Sequence, residues 1–268
     1  MTDLAKAYVK GHARADGTYV KPYNTKVQSA AAPAHHFHPQ FDDKGAPVKL
    51  HAPSNASAAS TWHNPQAVAT FVPDGDVPLG LNGIPFREWK DHPVTADGWD
   101  YVDGVDDDLD EPPFVQGSKK YAASGVVIEE PDGRVWLIAP SNQFGGYEAS
   151  FPKGTAEEGL SLQANAVKEA FEESGLKVRI TGFLGDFERT MSKARIYRAQ
   201  RIGGTPTAMG WESQAVHLVP KDKLYDHLNM WSDHGIAEVI GAGPAPEPPK
   251  KAPTQKSKWG NEHSDLFD

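Results

Sequence analysis

The chain has 268 residues, 38% hydrophobic and 24% charged, enough for one ordinary domain plus substantial additional material. Its formal net charge of −9 offers no basic surface to displace counterions, so bulk nucleic acid is not expected as a partner. The absence of cysteine excludes disulfides, thiolate metal sites and cysteine nucleophiles. With no signal-like apolar core at the N-terminus and no run near the ~18 residues of a membrane span, a soluble, cytoplasmic protein is expected.

Residues 1–75 read as a low-complexity, mostly flexible region rich in Ala, Pro, His and Gly. Within it, HARADGTYVKPY predicts a short hairpin turned at Asp16-Gly17. His35, His36 and His38 are the residue type that binds transition metals, although clustered histidines in such a segment are more often incidental. Residues 76–117 form a second piece. VPLGLNGIPFREW sets Leu79, Leu81, Ile84, Phe86 and Trp89 around turn glycines, an arrangement that can lay them onto a following domain. The acidic run Asp103–Glu111 lacks the ligand spacing of a calcium loop and reads as a solvated linker.

Residues 118–240 alternate between strand-like and helix-like periods and predict a layered α/β domain. Tyr121–Ile128 and Val135–Ala139 read as strands joined by the turn Pro131-Asp132-Gly133. The loop NQFGGYEAS leads to FPKG, and a helix follows that stops at Gly175, suited to a left-handed C-terminal cap. Strands are expected at Lys177–Ile180, Leu184–Arg189, Ala194–Arg201 and Ala215–Val219, with a final helix around Lys221–Met230. From 241 to 268 a Pro- and Lys-rich tail, ending near Trp259, Leu266 and Phe267, reads as flexible.

The chemistry concentrates in GTAEEGLSLQANAVKEAFEESGL, residues 154–176. At about 100° per residue, Glu169, Glu172 and Glu173 share an arc of roughly 100°, while Ala164, Val167 and Phe171 face the other way. Clustered carboxylates on one helical face suit hard divalent cations such as Mg²⁺ or Mn²⁺. An acidic face is ordinarily just solvated, so its surroundings decide.

Those surroundings resemble the signature box of the Nudix hydrolases: a glycine, an acidic turn, then a helix ending R-E-apolar-x-E-E-x-G-apolar. Gly154, Glu169, Glu172, Glu173, Gly175 and Leu176 fall on that pattern without a shift of register. The resemblance covers about residues 118–240 and implies a Nudix α/β/α sandwich with a mixed β-sheet, flanked here by an irregular N-terminal extension and the flexible tail. Two positions depart: the box glutamate is Leu160, with Glu157 and Glu158 nearby as substitutes, and the arginine before Glu169 is Lys168, which keeps the charge but loses the planar fork.

The resemblance implies pyrophosphate hydrolysis with Mg²⁺ or Mn²⁺ held by Glu169, Glu172 and Glu173 beside Gly154, with Lys168 orienting the carboxylates and Glu173 or Glu212 as general base. Lys153 and Arg195, with Arg189 and Arg201 as alternatives, are expected to meet phosphate. Trp211, Tyr197, Tyr147 and Phe144 are candidates to stack on a base, although aromatics in such a fold more often pack its core or loops. The expected partner is a phosphorylated small molecule; FPKG, FGGY and RIYRAQ look closest to the branch acting on dinucleoside or diphosphoinositol polyphosphates, with ADP-ribose open. The competing expectation is a weakened module that binds a nucleotide or a protein without cleaving.

Overall fold

The computed structural model describes residues 37–117 and 119–247, together with the backbone of four short strands preceding them. Of those four, His12–Ala13 pairs antiparallel with Tyr19–Val20, and Lys6–Val9 pairs with Tyr23–Lys26. The turn expected at Asp16-Gly17, the residues His35 and His36, and the tail from 248 onward lie outside the described residues. Among the described residues, no helix is long and apolar enough to cross a membrane.

A mixed seven-stranded sheet organises the chain. In sequence order its strands are β1 (Ala69–Phe71), β2 (Tyr121–Glu129), β3 (Arg134–Pro140), β4 (Lys153–Thr155), β5 (Leu176–Glu188), β6 (Ser192–Gly204) and β7 (Ser213–Pro220). They lie in the order β5-β6-β2-β3-β7-β1, with β4 added onto β2. Only β2 and β6 run parallel. The two segments expected as separate strands at 177–180 and 184–189 are one long strand, β5, irregular in register where Thr181 and Leu184 fall between paired residues.

Alternation along the central strands builds two apolar layers, because successive side chains point to opposite faces. After a short helix α1 (Ala96–Asp100), α2 (Leu162–Ser174) covers one layer, which Val126 and Ile128 face, and α3 (Trp231–Val239) covers the other, which Val127 faces. The Ser161 hydroxyl accepts from the Ala164 amide to start α2, and Gly175, at φ +72°, closes it in the left-handed region as expected. The helix expected at 221–230 is instead a 3₁₀ turn over Lys221–Asp226, and the true helix begins at Trp231. Asn229 is the reason. Its side chain accepts from the Glu148 amide and donates to the Gly146 carbonyl, which draws the chain away from a helical path.

The layer on α2 is completed by residues upstream of the domain. Trp62, Phe71, Leu81, Trp89, Trp99 and Val102 are buried in it. Trp89 meets Phe171 of α2 edge-on at 5.2 Å between ring centres, and Phe86 meets Trp136 of β3 at 6.2 Å. Leu79, by contrast, is 95% exposed and packs on nothing. The folded part also begins earlier than residue 76: β1, which lies in the region expected to be flexible, pairs with β7. Its sequence, ATF, is too short for an alternating pattern to announce it.

The acidic run is no free linker either. Gln163 of α2 exchanges hydrogen bonds with the backbone of Asp106, and Glu111 accepts from Gln163, Arg195 and Tyr197. A carboxylate set against a buried guanidinium is held, whatever the composition around it.

Candidate functional site

Strands β2 and β3 pair only at their turn, Glu129 opposite Val135, and then part. Strand β4 fills part of the gap, pairing Lys153 with Gly125 and Gly154 with Ser124. Beyond it opens a cleft of about 1550 Å³, with α2 on one side and the turn Ser141–Gly146 on the other. Glu157, Lys168, Glu169, Glu172, Glu173 and Glu212 line it.

Each of these side chains has a visible reason for its place. Glu173 accepts the Lys153 backbone amide at 2.7 Å, which ties the helix to β4. Glu169 lies against Gly154, where any Cβ would overlap its carboxylate. Gly154 is therefore required for space. Its backbone is ordinary extended strand. Lys168 donates to Glu172 at 2.6 Å and to Glu157 at 2.8 Å, and Glu157 rather than Glu158 is the acid that lines the cleft. Leu160 packs against the apolar layer, leaving no carboxylate at the departing box position.

The loop carrying Glu212 is pinned at both ends. The Gly210 amide donates to the Glu172 carbonyl at 2.6 Å, and the Ser141 amide donates to the Glu212 carbonyl at 2.7 Å. Burial and crowding of like charge shift these carboxyls upward. Burial, then the charges of Glu173 and Glu172, push Glu169 up to about 9. Burial pushes Glu173 up to about 8 against the pull of Lys153, and burial raises Glu212 with Asp43 and Glu172 adding to it.

As the side chains stand, no three His, Cys, Asp or Glu among the described residues converge closely enough to hold a metal ion. Glu173 is drawn to β4, and Glu172 is drawn to Lys168. The donor chemistry nevertheless fits a hard dication, since these are carboxylate oxygens whose mutual repulsion a cation relieves. Glu172 is half-exposed, and turning its side chain is what would complete the set.

The expected substrate contacts divide. Lys153, Tyr147, Phe144 and Trp211 line the cleft. Arg195 and Tyr197 do not. Both are buried on β6 beneath the extension, where Arg195 forks onto Asp186 and reaches Glu111 at 3.0 Å, and the Tyr197 hydroxyl donates to Glu111 at 2.9 Å. Burial and that carboxylate drive the Tyr197 hydroxyl far up, so it stays neutral. Arg201 is likewise spent on buried Glu130. Of the alternatives only Arg189 reaches the cleft, beside Tyr147.

Several lining residues carried no warning in sequence. The strands Phe37–Phe41 and Pro47–Lys49 form a hairpin that brings Gln40 and Asp43 to the rim. There Gln40 donates to the Met209 carbonyl at 3.0 Å and Asp43 accepts from the Trp211 indole at 3.1 Å. His92 stacks against Phe171 at 4.6 Å on the far wall. The only hint was the turn DDKG after an apolar residue, which marks a hairpin but not its destination. His38, the one described member of the histidine cluster, is buried, and its Nδ1 accepts the Gln40 amide.

Comparison with known proteins bears on the same segment. The family model described as NUDIX domain matches residues 119–238. This segment is a Nudix domain. A relative named RNA pyrophosphohydrolase, from Caulobacter vibrioides, is 44% identical over 52 residues, which cover 19% of this chain and 30% of that protein. The chain thus spans less than a third of the length of the curated relative it matches. Among solved structures, a Nudix hydrolase from Nitrosomonas europaea aligns with 18% identity and a TM-score of 0.41, covering 48% of this chain and 77% of that one. An Ap4A hydrolase from C. elegans aligns with 14% identity and a TM-score of 0.37, covering 46% and 93%.

Proposed function

We propose that the Nudix domain hydrolyses a pyrophosphate bond in a nucleoside diphosphate linked to another group, of the dinucleoside polyphosphate, diphosphoinositol polyphosphate or ADP-ribose type. One observation carries this reading. Glu169, Glu172 and Glu173 on one face of α2 meet Glu212 from a separate pinned loop inside a single cleft. Carboxylates buried together until two of them hold protons near neutrality are arranged for a cationic ligand and not for stability.

Glu169, Glu172 and Glu173 are the residues that would hold Mg²⁺ or Mn²⁺, and the ion supplies charge neutralisation at the phosphates and a more acidic attacking water. The chain does the rest. Lys168 positions Glu172 and Glu157. Lys153 presents its ammonium to a phosphate oxygen from the strand that also anchors Glu173. Glu212, raised above the usual carboxylate range, accepts the proton of the water, with Glu173 as the alternative base. Trp211, Tyr147 and Phe144 offer ring faces along the rim.

Phosphate release from Ap4A, ADP-ribose and diphosphoinositol polyphosphates with Mg²⁺ or Mn²⁺ tests the reading. Glu172→Gln and Glu173→Gln must lose most of the parent rate, and equal rates end the proposal. A second reading, a module that binds without cleaving, is favoured by Leu160 and by carboxylates that do not converge as they stand. Its mark is a nucleotide that raises thermal stability and stays intact.

A further inference from the structure

Four arginines are buried among the described residues, and three of them are consumed by the fold. Arg134 forks onto Asp132 and donates to the carbonyls of Trp62 and Thr61. Arg195 is taken by Asp186 and Glu111, and Arg201 by Glu130 and the Leu81 carbonyl. Arg189 differs. It opens on the cleft, where its Nη1 donates to Asp233 at 2.8 Å and its Nη2 to the Tyr147 hydroxyl at 2.6 Å. A guanidinium has five N–H donors, so about three remain without a protein acceptor. Its Nε is not sealed away, for among the described residues the buried side-chain atoms that lack partners are His38 Nε2, Ser213 Oγ and His234 Nδ1.

Asp233 holds this arginine in place from a fully buried position, taking the guanidinium on Oδ1 and the Ser150 hydroxyl at 2.8 Å on Oδ2. The Lys153 ammonium donates to the same Ser150 hydroxyl and lies 4.9 Å from the centre of the Tyr147 ring. Among the described residues Lys153 makes no ion pair. This corner therefore sets two cations beside one ion-paired carboxylate, Asp233, with Glu173 near enough to feel the Lys153 charge, in a cleft also lined by Glu157, Glu169, Glu172 and Glu212. The two ends are joined through Lys153, whose backbone amide binds Glu173 while its ammonium sits at the cationic corner.

A guanidinium fixed by a buried carboxylate at the wall of the cleft, with donors left over, is built to fork onto an oxyanion. We propose that Arg189, with Lys153 and Tyr147, forms a specificity-determining subsite for a phosphoryl group beyond the scissile pyrophosphate. The substrate then carries at least three phosphate groups, either in one chain or with the third as an ester on the attached moiety. This rests on the hydrolase reading above, and it disfavours compounds with a diphosphate alone.

The test uses the full chain with Mg²⁺, comparing the parent with Arg189→Gln and with Arg189→Lys, which keeps a cation beside Asp233. Substrates are ATP, a diphosphoinositol polyphosphate and ADP-ribose. Arg189→Gln is expected to raise KM about 10- to 100-fold for a substrate with a third phosphate, the size of a lost charged hydrogen bond, with kcat nearly kept. KM for ADP-ribose stays within about twofold, and Arg189→Lys recovers part of the loss. Whether ATP or the inositol compound responds tells a chain phosphate from an ester phosphate. An equal rise for all three substrates, or none, overturns the subsite. If the parent cleaves none of them, the hydrolase reading fails, and inorganic tripolyphosphate then decides the subsite alone. Thermal stabilisation of the parent and not of Arg189→Gln upholds it, and equal stabilisation of both overturns it.

Discussion

Replacing Glu169 with glutamine should stabilise the metal-free protein while destroying its use. The Glu169 carboxyl is buried against Gly154 and titrates at about 9 instead of the ordinary 4.5. Its folded pKa is raised, so the stability it confers is complete below about pH 4.5 and is lost as pH climbs toward 9. In that window the unfolded chain releases a proton that the folded chain retains, at about 1.4 kcal/mol per pH unit. At pH 7.5 the three units above 4.5 amount to about 4 kcal/mol. Glutamine has the same shape and no proton to release. Metal-free Glu169→Gln should therefore melt about 10 °C above the parent at pH 7.5, taking ~3 °C per kcal/mol for a domain of this size, and near the parent at pH 5. Thermal unfolding in EDTA from pH 5 to 9 measures the gap, and adding Mg²⁺ at pH 8 should narrow or invert it, because only the parent gains a ligand. A gap that is absent, or that fails to widen with pH, would refute the electrostatic reasoning.

Lys168→Ala frees Glu157 and Glu172 from their common cation, and should cut kcat about 10- to 100-fold with little change in circular dichroism; steady-state kinetics beside Lys168→Arg, which restores the fork, checks it. Gly154→Ala places a methyl group on the Glu169 carboxylate and should weaken Mg²⁺ binding measured by calorimetry, even though the backbone there is ordinary strand. Trp89→Ala removes the ring packed on Phe171 and Trp99, and should cost about 3–5 kcal/mol in denaturant unfolding. His217 is pushed down to about 4, by burial and then by His227, so its folded form resists protonation. Stability should fall as pH drops from about 6.5 toward 4, and His217→Gln should flatten that acid limb in thermal melts.

The legible part of the molecule was the part with short-range grammar. Ser161, Gly175 and the spacing of Glu169, Glu172 and Glu173 are local signals, and α2 follows them from cap to cap. Strand β2 and strand β3 announced themselves through apolar runs around a Pro-Asp-Gly turn. What failed was long-range. Arg195 and Tyr197 sit on a strand with one exposed and one buried pattern possible, and the acid that takes both of them beneath the extension, Glu111, is more than eighty residues away. The same is true of Arg189, whose role depends on Asp233 in a helix that sequence placed some ten residues too early. The hairpin that brings Asp43 to Trp211 reads as low complexity, because its contacts lie in another part of the chain.

The extension also changes how the site works physically. In a bare two-layer arrangement the face of α2 opposite the sheet would meet water, and carboxylates at its rim would be solvated and cheap to ionise. Here Trp89, Trp99 and His92 cover Phe171, and Gln163 is bound to Asp106, so α2 is enclosed along most of its length. Enclosure is the largest cause of the raised titrations of Glu169 and Glu173. Glu169 against Gly154 and Glu173 on the Lys153 amide are therefore costly to ionise without a cation, and the buried histidines and glutamates pull stability in opposite directions with pH. Between about pH 4.5 and 6.5 the two effects oppose each other; above pH 6.5 the glutamates act alone and metal-free stability falls, and recovery of that loss on adding Mg²⁺ is the result that would join the helix and the ion in one system.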